Sequence, residues 1–411
     1  MDVKESIESG RIVNGVKGSC NLSHLKYFNP VTSTCIDYMH SILEGVTKNF
    51  FKYWFSTEYR VSERFSLRKF IFEIDRKLIN IRPPSFVPCA PRSLETWKQW
   101  RAHEFLAFIL YYALPALNDF MATEYYNNYV KFVIFVEILL SKEVQINDLK
   151  QAQYIVIEFI EELSMLYPKN IMLSGVHELL HFVECTLDFG PMNSTNLFTY
   201  EELNRKITRT IKGKDLIGEE FIKLFSTAQS LSKIEPSSEK LKQFLMKNPI
   251  LRTSNRKNQG RSLEIVKLLS AKILCCDEKY LELYNNFTND RVSQIYCVKR
   301  LQYKSHIFTS YNHKAKFCDS CFMSSDGSYG LIEEFLCNDD LNVYVLARRI
   351  VTVSNPFYSK KYPIIKSNLF ISHVTDELIL KKIDDIQKVA FIFISEVECY
   401  VSKFSTSHLF T

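Results

Sequence analysis

The sequence predicts an α+β protein, with a mainly helical N-terminal two-thirds and a small β-rich C-terminal domain. Between residues 34 and 231 apolar side chains recur at spacings of three and four, which indicates helices. From about residue 291 they recur at every second position and are rich in β-branched and aromatic types, which indicates strands. Glycine is scarce, at 11 residues against 31 Phe and 22 Tyr, and this composition favours helices with bulky cores.

Four regions follow from these patterns. Residues 1–25 are predicted to be extended, 26–231 helical, 232–290 a linker with short helices, and 291–411 the β-rich domain. Proline-rich and polar breakers such as RPPSFVPCAPRS (82–93) separate the helices. The predicted helices are 65–78, 97–117, 125–140, 149–166 and 176–187. The segment DGSYG (326–330) is a candidate hairpin turn.

Bulk properties exclude several classes of protein. The 411 residues are 46% hydrophobic and 24% charged, as in ordinary globular chains of two or three domains. The N-terminal fifteen residues are polar and predict no secretory signal. The longest apolar runs, 105–117 and 132–140, are shorter than the roughly 20 residues that a membrane span needs. Eleven irregularly spaced cysteines predict reduced thiols, so we expect an intracellular protein without a membrane partner.

The segment HELLH (177–181) fits the helix of zinc metalloproteases. In that motif two histidines at i and i+4 bind zinc and the glutamate is the general base. Glu201 lies twenty residues after His181, a spacing that suits a third ligand. The alternative interpretation is two histidines on a core helix, hydrogen-bonded to backbone or to each other.

The segment TSTCIDYMHSILEGV (32–46) places Asp37 three residues before His40 at the start of a predicted helix. The two side chains could form an acid/base pair. They could equally be structural, with Thr34 as the N-cap and Asp37 at the third helical position of a capping box.

A series of sequence blocks resembles transposases of the CACTA type. The blocks occur in the same order as in that family, and GVKG (15–18) precedes the DYMH helix. They are VNGVKGSCNLSHLKYFNPVTSTCIDYMHSILEGVTKNFFKYWF (13–55), IDRKLINIRPP (74–84), PRSLETWKQWRAHEFLAFILYYALPAL (91–117), DLKQAQYIVIEFIEELSMLYPKNIMLSGVHELLHFVECTLDFGP (148–191) and FTYEELNRKI (198–207).

The resemblance implies a ribonuclease-H-like core that holds two divalent metals, such as Mg²⁺, on three acidic residues. The family's third acidic residue matches Glu201, with Asn204 completing the same motif. Asp37, His40, His177 and His181 match other family motif positions. The position of Glu178 varies in that family, so the resemblance accounts for HELLH without a protease.

The family's first two aspartates and a CxxC zinc knuckle lie upstream of the GVKG block. Only fourteen residues precede that block here, so we expect a truncated chain or a remnant that does not cut DNA by itself. Accordingly we predict no metal site and no cofactor, with Mg²⁺ expected only in a complete enzyme.

Two further groups of residues are candidates for binding. A basic run follows Glu201 and could contact phosphates or form a solvated surface; it comprises Arg205, Lys206, Arg209, Lys212 and Lys214. Cys318 and Cys321 form a CxxC that could bind zinc or remain free.

The sequence therefore predicts a transposase-derived nuclear protein that associates with double-stranded DNA, with its C-terminal domain as a surface for a protein partner. The alternatives are a zinc metalloprotease and a plain protein-interaction module.

Overall fold

The chain folds into two compact units. In this computed structural model the first unit comprises Met1–Lys69 and Phe120–Asn196, and the second comprises Phe70–Asp119 and Leu197–Thr411. The residues that the structure describes are 2–13, 16–29, 32–87, 89–211, 213, 217–232, 238, 240, 266–289, 291–304, 306–354, 368–394 and 399–402.

The α-helices are α1 (Asp2–Ser9), α2 (Lys48–Phe55), α3 (Ile71–Ile79), α4 (Ala102–Ala107), α5 (Ala113–Leu117), α6 (Thr123–Leu140), α7 (Ile146–Leu166), α8 (Ser174–Glu178), α9 (Phe182–Phe189), α10 (Phe198–Thr210), α11 (Ile217–Ser232) and α12 (Glu278–Thr288). Two π-helical segments continue into them: Met39–Thr47 runs into α2, and Phe108–Tyr112 joins α4 to α5. Pro115 has no N–H to donate to the Tyr111 carbonyl, and the wider π winding lies directly before it.

The first unit is built around aromatic side chains from α2, from α6 and from Tyr167, the residue that follows α7. Trp54 on α2 stacks on Phe50 with ring centroids 5.2 Å apart and meets the edge of Tyr129 at 5.0 Å. Its indole N–H donates to the Tyr167 hydroxyl at 2.9 Å. All four rings are buried, and burial of rings this large is the main favourable term in folding.

A charged network joins α6 to α7 in the same unit. The Lys131 ammonium lies 2.5 Å from a Glu162 oxygen and 3.4 Å from a Glu158 oxygen. The Asn128 amide donates to the Phe159 carbonyl at 3.0 Å and to Glu162 at 3.2 Å. These contacts satisfy polar groups that would otherwise be costly at a helix–helix interface.

The second unit contains the strands, and all of their described pairings are antiparallel. They are β1 (Val266–Leu268), β2 (Ile273–Leu274), β3 (Tyr296–Val298), β4 (Arg300–Tyr303), β5 (His306–Thr309), β6 (Cys321–Ser324), β7 (Tyr329–Cys337), β8 (Val343–Ser354), β9 (Leu369–Lys382), β10 (Ile386–Val389), β11 (Phe391–Ile394) and β12 (Cys399–Ser402). One sheet has the order β1-β4-β5, and the other has the order β10-β6-β7-β8-β9-β12-β11, with β2 and β3 attached through β7.

The larger sheet curls on itself. Its two terminal strands in the pairing order, β10 and β11, are consecutive in the chain and are separated only by Ala390. The Ala390 N–H donates to the Cys321 carbonyl at 2.8 Å, which holds this connection against β6. The inward faces bury Phe322, Phe335 and Val345 completely.

The helical segment 70–119 packs against this sheet. The Phe391 ring of β11 lies 5.2 Å from the Tyr111 ring, which in turn lies 6.1 Å from Phe86. The Asp319 carboxylate accepts the Ser85 backbone N–H at 2.7 Å, and the Cys318 N–H donates to the Pro83 carbonyl at 2.9 Å. We call this pair of hydrogen bonds the Asp319 clamp.

The predicted mixture of N-terminal helices and a β-rich C-terminal part is confirmed. The hairpin at 326–330 joins β6 to β7, and Gly327 there has a φ of +80°. The N-terminal segment, expected to be extended, begins with α1. Residues 70–119, expected to share a region with the other helices, group with the sheet instead.

Residues 241–265 of the predicted linker lie outside the described part of the chain, and the described residues 266–289 form β1, β2 and α12. Within the described ranges, no helix combines the length and the apolar character that membrane crossing requires.

The Asp319 clamp predicts a difference between two substitutions. Burial raises the pKa of the Asp319 carboxyl, more strongly than the hydrogen bonds from Ser85 lower it. Asp319→Ala leaves the Ser85 N–H without its acceptor, so we expect a loss of about 1–3 kcal/mol in the free energy of unfolding, measured by urea denaturation. Asp319→Asn keeps an acceptor oxygen and removes a buried charge, so it should be at least as stable as wild type at pH 7.

The pH dependence of stability has a definite sign. Because the folded state binds the Asp319 proton more tightly than the unfolded state, this group lowers stability as pH rises through the interval between the two pKa values. Asp319→Asn should remove that component of the pH profile. Equal losses in the Ala and Asn variants would contradict this account of the clamp.

Candidate functional site

Asp37 and His40 form a carboxylate–imidazole pair in the first unit. One Asp37 carboxylate oxygen lies 2.7 Å from His40 Nδ1 and accepts the His40 backbone N–H at 3.0 Å. The His40 side chain is half exposed, whereas that of Asp37 is mostly covered. With Nδ1 donating to the carboxylate, Nε2 becomes the basic atom of the ring, which is the tautomer that an oriented imidazole base needs.

The helix start differs from the predicted capping box. The helix begins at Tyr38, so Asp37 is the capping residue and Thr34 lies before it in the chain. Asp37 caps with both its side chain and its backbone, because its carbonyl also accepts the Ser41 N–H at 3.1 Å. The same carboxylate therefore starts the helix and orients the histidine.

Two glycines allow the close packing around this helix. A Cβ on Gly45 would lie 2.9 Å from the His40 carbonyl oxygen across the π turn. A Cβ on Gly175 would lie 3.2 Å from the Ser41 carbonyl oxygen, so the glycine lets α8 approach the Met39–Thr47 segment. Asp37–His40 and the HELLH histidines are thus carried by neighbouring elements.

His177 and His181 contact each other on the surface. Their Nε2 atoms lie 3.3 Å apart, and His181 Nδ1 lies 3.7 Å from a Glu184 oxygen. The HELLH segment is not one regular helix, because α8 gives way to a 3-10 turn at Leu179–His181 before α9 begins. Leu179 and Phe182 are completely buried, so the apolar residues of the motif anchor it and turn the histidines outward.

The zinc-protease interpretation needs a third ligand beside the two histidines. Across the described ranges, no group of three or more His, Cys, Asp or Glu side chains is placed to share a metal ion. Glu201, the third ligand that the spacing suggested, lies on α10 and belongs to no such group of described residues. The contact between the two rings agrees with the alternative in which the histidines are partners of each other.

The Cys318–Cys321 pair is buried. Cys318 Sγ lies 3.1 Å from the Ser320 hydroxyl, and Cys321 is fully enclosed on β6. Burial raises the pKa of the Cys321 thiol, which opposes the thiolate form that zinc requires. All eleven cysteines are free thiols.

Helix α10 carries Glu201, Asn204 and the basic residues singled out by the sequence. Glu201 and Asn204 are exposed, and Glu201 lies in the first turn, where the helix dipole favours a carboxylate. The basic side chains Arg205, Lys206 and Arg209 follow in the last two turns. Lys212 and Lys214, which belong to the predicted basic run, lie outside the described residues.

Glu202 is the member of this group that sequence reasoning missed. Its carboxylate accepts two hydrogen bonds from Arg205, from Nε and Nη2, both at 2.6 Å, and lies 3.7 Å from the Lys206 ammonium. The Arg205 hydrogen bonds hold the pKa of Glu202 below its usual value. The spacings i to i+3 and i to i+4 were the available signal, because residues so spaced are neighbours on a helix.

Comparison with known proteins yields no relatives: no family model, no curated protein and no solved structure matches the chain.

The double role of Asp37 predicts a graded effect of substitution. Asp37→Ala removes the acceptor for the His40 N–H, and we expect a loss of about 0.5–2 kcal/mol in the free energy of unfolding. Asp37→Asn keeps a capping oxygen and should lose less. Urea denaturation measures both, with the exposed Glu44→Ala in the same helix as the control. If Glu44→Ala costs as much as Asp37→Ala, the cap is not what stabilises this helix.

Proposed function

We propose that the protein is transposase-derived and associates with double-stranded DNA through α10, without cutting the strands itself. In this proposal α10 descends from the part of a ribonuclease-H-like core that carries the third acidic residue, represented by Glu201. A nuclear location and a protein partner for the β-rich part belong to the same proposal.

The distribution of charge along α10 is the observation that carries the DNA proposal. The helix is exposed or half-buried over its whole described length, so its side chains are accessible. Its acids, Glu201 and Glu202, lie in the first turn and a half, and the three cations follow. Duplex DNA is bound chiefly through phosphates, and cations on one exposed helix provide such contacts without reading sequence.

Ion pairs within α10 limit the affinity of its cations for DNA phosphates. Glu202 forms a bidentate ion pair with Arg205 and a second, longer ion pair with Lys206. Arg209 has no ion pair within the described residues, so it is the cation most available to a phosphate. The surface therefore predicts weak, salt-sensitive binding, in the range of nonspecific association at roughly 10⁻⁴–10⁻⁶ M.

The placement of the family motifs supports the proposed ancestry. Asp37 contacts His40, His177 contacts His181, and Gly175 brings α8 against the helix of the first pair. Residues from motif blocks more than 130 positions apart in the chain therefore lie on adjoining elements.

Strand cleavage is not part of the proposal. In-line attack on a phosphodiester by two metals needs several carboxylates around both ions. Glu201 is outside any three-ligand group of the described residues. We expect no nicking of supercoiled plasmid with Mg²⁺ or Mn²⁺, and Glu201→Gln should bind duplex DNA at least as well as wild type.

A protein-interaction module is the second candidate. Exposed apolar side chains on α10 and α11 favour it, among them Tyr200 at 63% exposure, Ile222 at 63% and Phe225 at 42%. Isolated exposed apolar residues are normal, but five on two adjacent helices are more typical of a docking surface. In that case the cations of α10 only complement the helix dipole.

Duplex binding across a salt series tests the DNA proposal. Fluorescence anisotropy with a labelled 20-base-pair duplex between 50 and 200 mM salt should give weaker binding as salt rises, with a slope in log K against log salt no steeper than about −3, the limit for contacts from all three cations. Arg209→Gln should weaken binding and reduce the size of the slope by about 1. Binding without salt dependence, or none at 50 mM salt, would refute the proposal.

The Glu202 ion pair predicts a variant that binds better. Glu202→Gln frees Arg205 and Lys206 and removes a charge that repels phosphate, so affinity for duplex DNA should rise several-fold. Glu219→Gln, which removes an acidic charge from the first turn of neighbouring α11, is the matched control. An equal gain in both variants would show that net charge alone acts, and not the pairing on α10.

A further inference from the structure

A cleft of about 510 Å³ lies within the second unit, between the end of α3 and the edge of the curled sheet. Its volume falls in the range of about 300–1,000 Å³ typical of small-molecule sites. One wall comes from the last turn of α3 and the residues after it, and the other comes from β11 and the loop at Tyr311. We call it the Arg76 cleft.

Three cations and one carboxylate line this cleft. The cations are Arg76, Lys77 and Arg82, and the carboxylate is Asp119, so the formal balance of the lining is three positive charges against one negative, or +2. Lys77 is engaged in an ion pair with Asp119. The surplus positive charge therefore resides on Arg76 and Arg82.

Arg82 is held rigidly by the protein. Its Nη1 donates to the His313 carbonyl at 3.0 Å and its Nη2 to the Tyr311 carbonyl at 3.1 Å. Its guanidinium also lies 5.5 Å from the centre of the Tyr311 ring. Arg82 thus fixes both a positive charge and an aromatic wall, and this preorganisation lowers the cost of binding an anion.

Arg76 differs from Arg82 in its exposure and in its contacts. Its side chain is exposed, and within the described residues it has no ion pair or hydrogen bond. An exposed guanidinium can bind a phosphate by donating two parallel hydrogen bonds to it. The exposed Arg76 and the anchored Arg82 line the same cleft, so a phosphate bound there would meet both cations.

Apart from Asn80 and Cys318, the remaining lining is apolar or aromatic. Tyr311 is half-buried, Ile394 is 39% exposed, and Ile392 and Phe393 present smaller areas to the cleft. A flat aromatic group stacks well on such a wall, and every nucleobase has the required π-face. The cleft therefore offers both cations and apolar or aromatic surface, the two kinds of contact that a nucleotide makes.

We propose that the Arg76 cleft binds a nucleotide, with the phosphate between Arg76 and Arg82 and the base against Tyr311 and Ile394. The nucleotide is either free or one unit of a single-stranded nucleic acid, since both carry the same phosphate and base. This site is separate from the cations of α10 and does not depend on the proposed duplex binding.

Titration calorimetry on the full chain tests the site with three probes: inorganic phosphate, adenosine monophosphate and a twelve-residue oligothymidylate. The monophosphate should bind more tightly than inorganic phosphate, because only it reaches the apolar wall. Equal affinities, or no binding of any probe, would overturn the proposal. Oligothymidylate binding that the monophosphate displaces assigns the cleft to single strands, and monophosphate binding without oligothymidylate binding assigns it to free nucleotides.

Variants separate the site from nonspecific charge effects. Arg76→Ala should weaken binding of the preferred probe about tenfold or more, the effect of losing a charge-assisted hydrogen bond. Arg76→Lys should recover part of that loss. Lys98→Ala, which removes an exposed cation of the same unit outside the cleft, is the control.

If Arg76→Ala and Lys98→Ala have equal effects on probe binding, Arg76 only complements the dipole at the C-terminal end of α3 and the proposal is wrong. Arg76→Ala should leave duplex binding through α10 unchanged.

Discussion

The hydrogen bond from the Ser85 backbone to the Asp319 carboxylate is the constraint on which the architecture of the second unit depends. It joins residues 234 positions apart and, with the Cys318–Pro83 bond, holds the helical segment 70–119 against the sheet. A buried carboxylate is tolerated only where donors meet it, and here the donors belong to the docked segment. The Arg76 cleft exists because this clamp places the end of α3 beside β11.

Local pairing of charges decides which surfaces can bind an anion. Glu202 on α10 engages two of three cations, and Asp119 in the cleft engages Lys77. The chain has a net charge of +6, but anion binding at these two surfaces depends on the cations outside their ion pairs, which are Arg209 on α10 and Arg76 and Arg82 in the cleft. A count of basic residues along the sequence overstates the positive field that an anionic ligand meets. In an ion pair the carboxylate cancels much of the cation's field, and salt screens what remains.

Much of the fold could be predicted from residue patterns, and the exceptions have physical causes. Apolar residues at every second position predicted strands from residue 291 onward. The turn-forming residues of DGSYG predicted the β6–β7 hairpin. Periodicity identifies the buried face of a helix but not what covers it, so the association of 70–119 with the sheet was not predictable. Thr34 and Asp37 are both residue types that cap helices well. Asp37 is the cap because the helix begins at the next residue, and this start depends on packing that the local sequence does not show.

The sequence by itself determined the chemistry available: the Asp37–His40 and His177–His181 pairs follow from helical spacing, and the cations of α10 from composition. Only the tertiary structure decided how these groups are used. It turned the HELLH histidines outward and toward each other, because Leu179 and Phe182 had to be buried. It also brought Arg82 to the Tyr311 loop across more than 220 residues, a contact that no local pattern encodes because it arises from long-range burial of apolar surface.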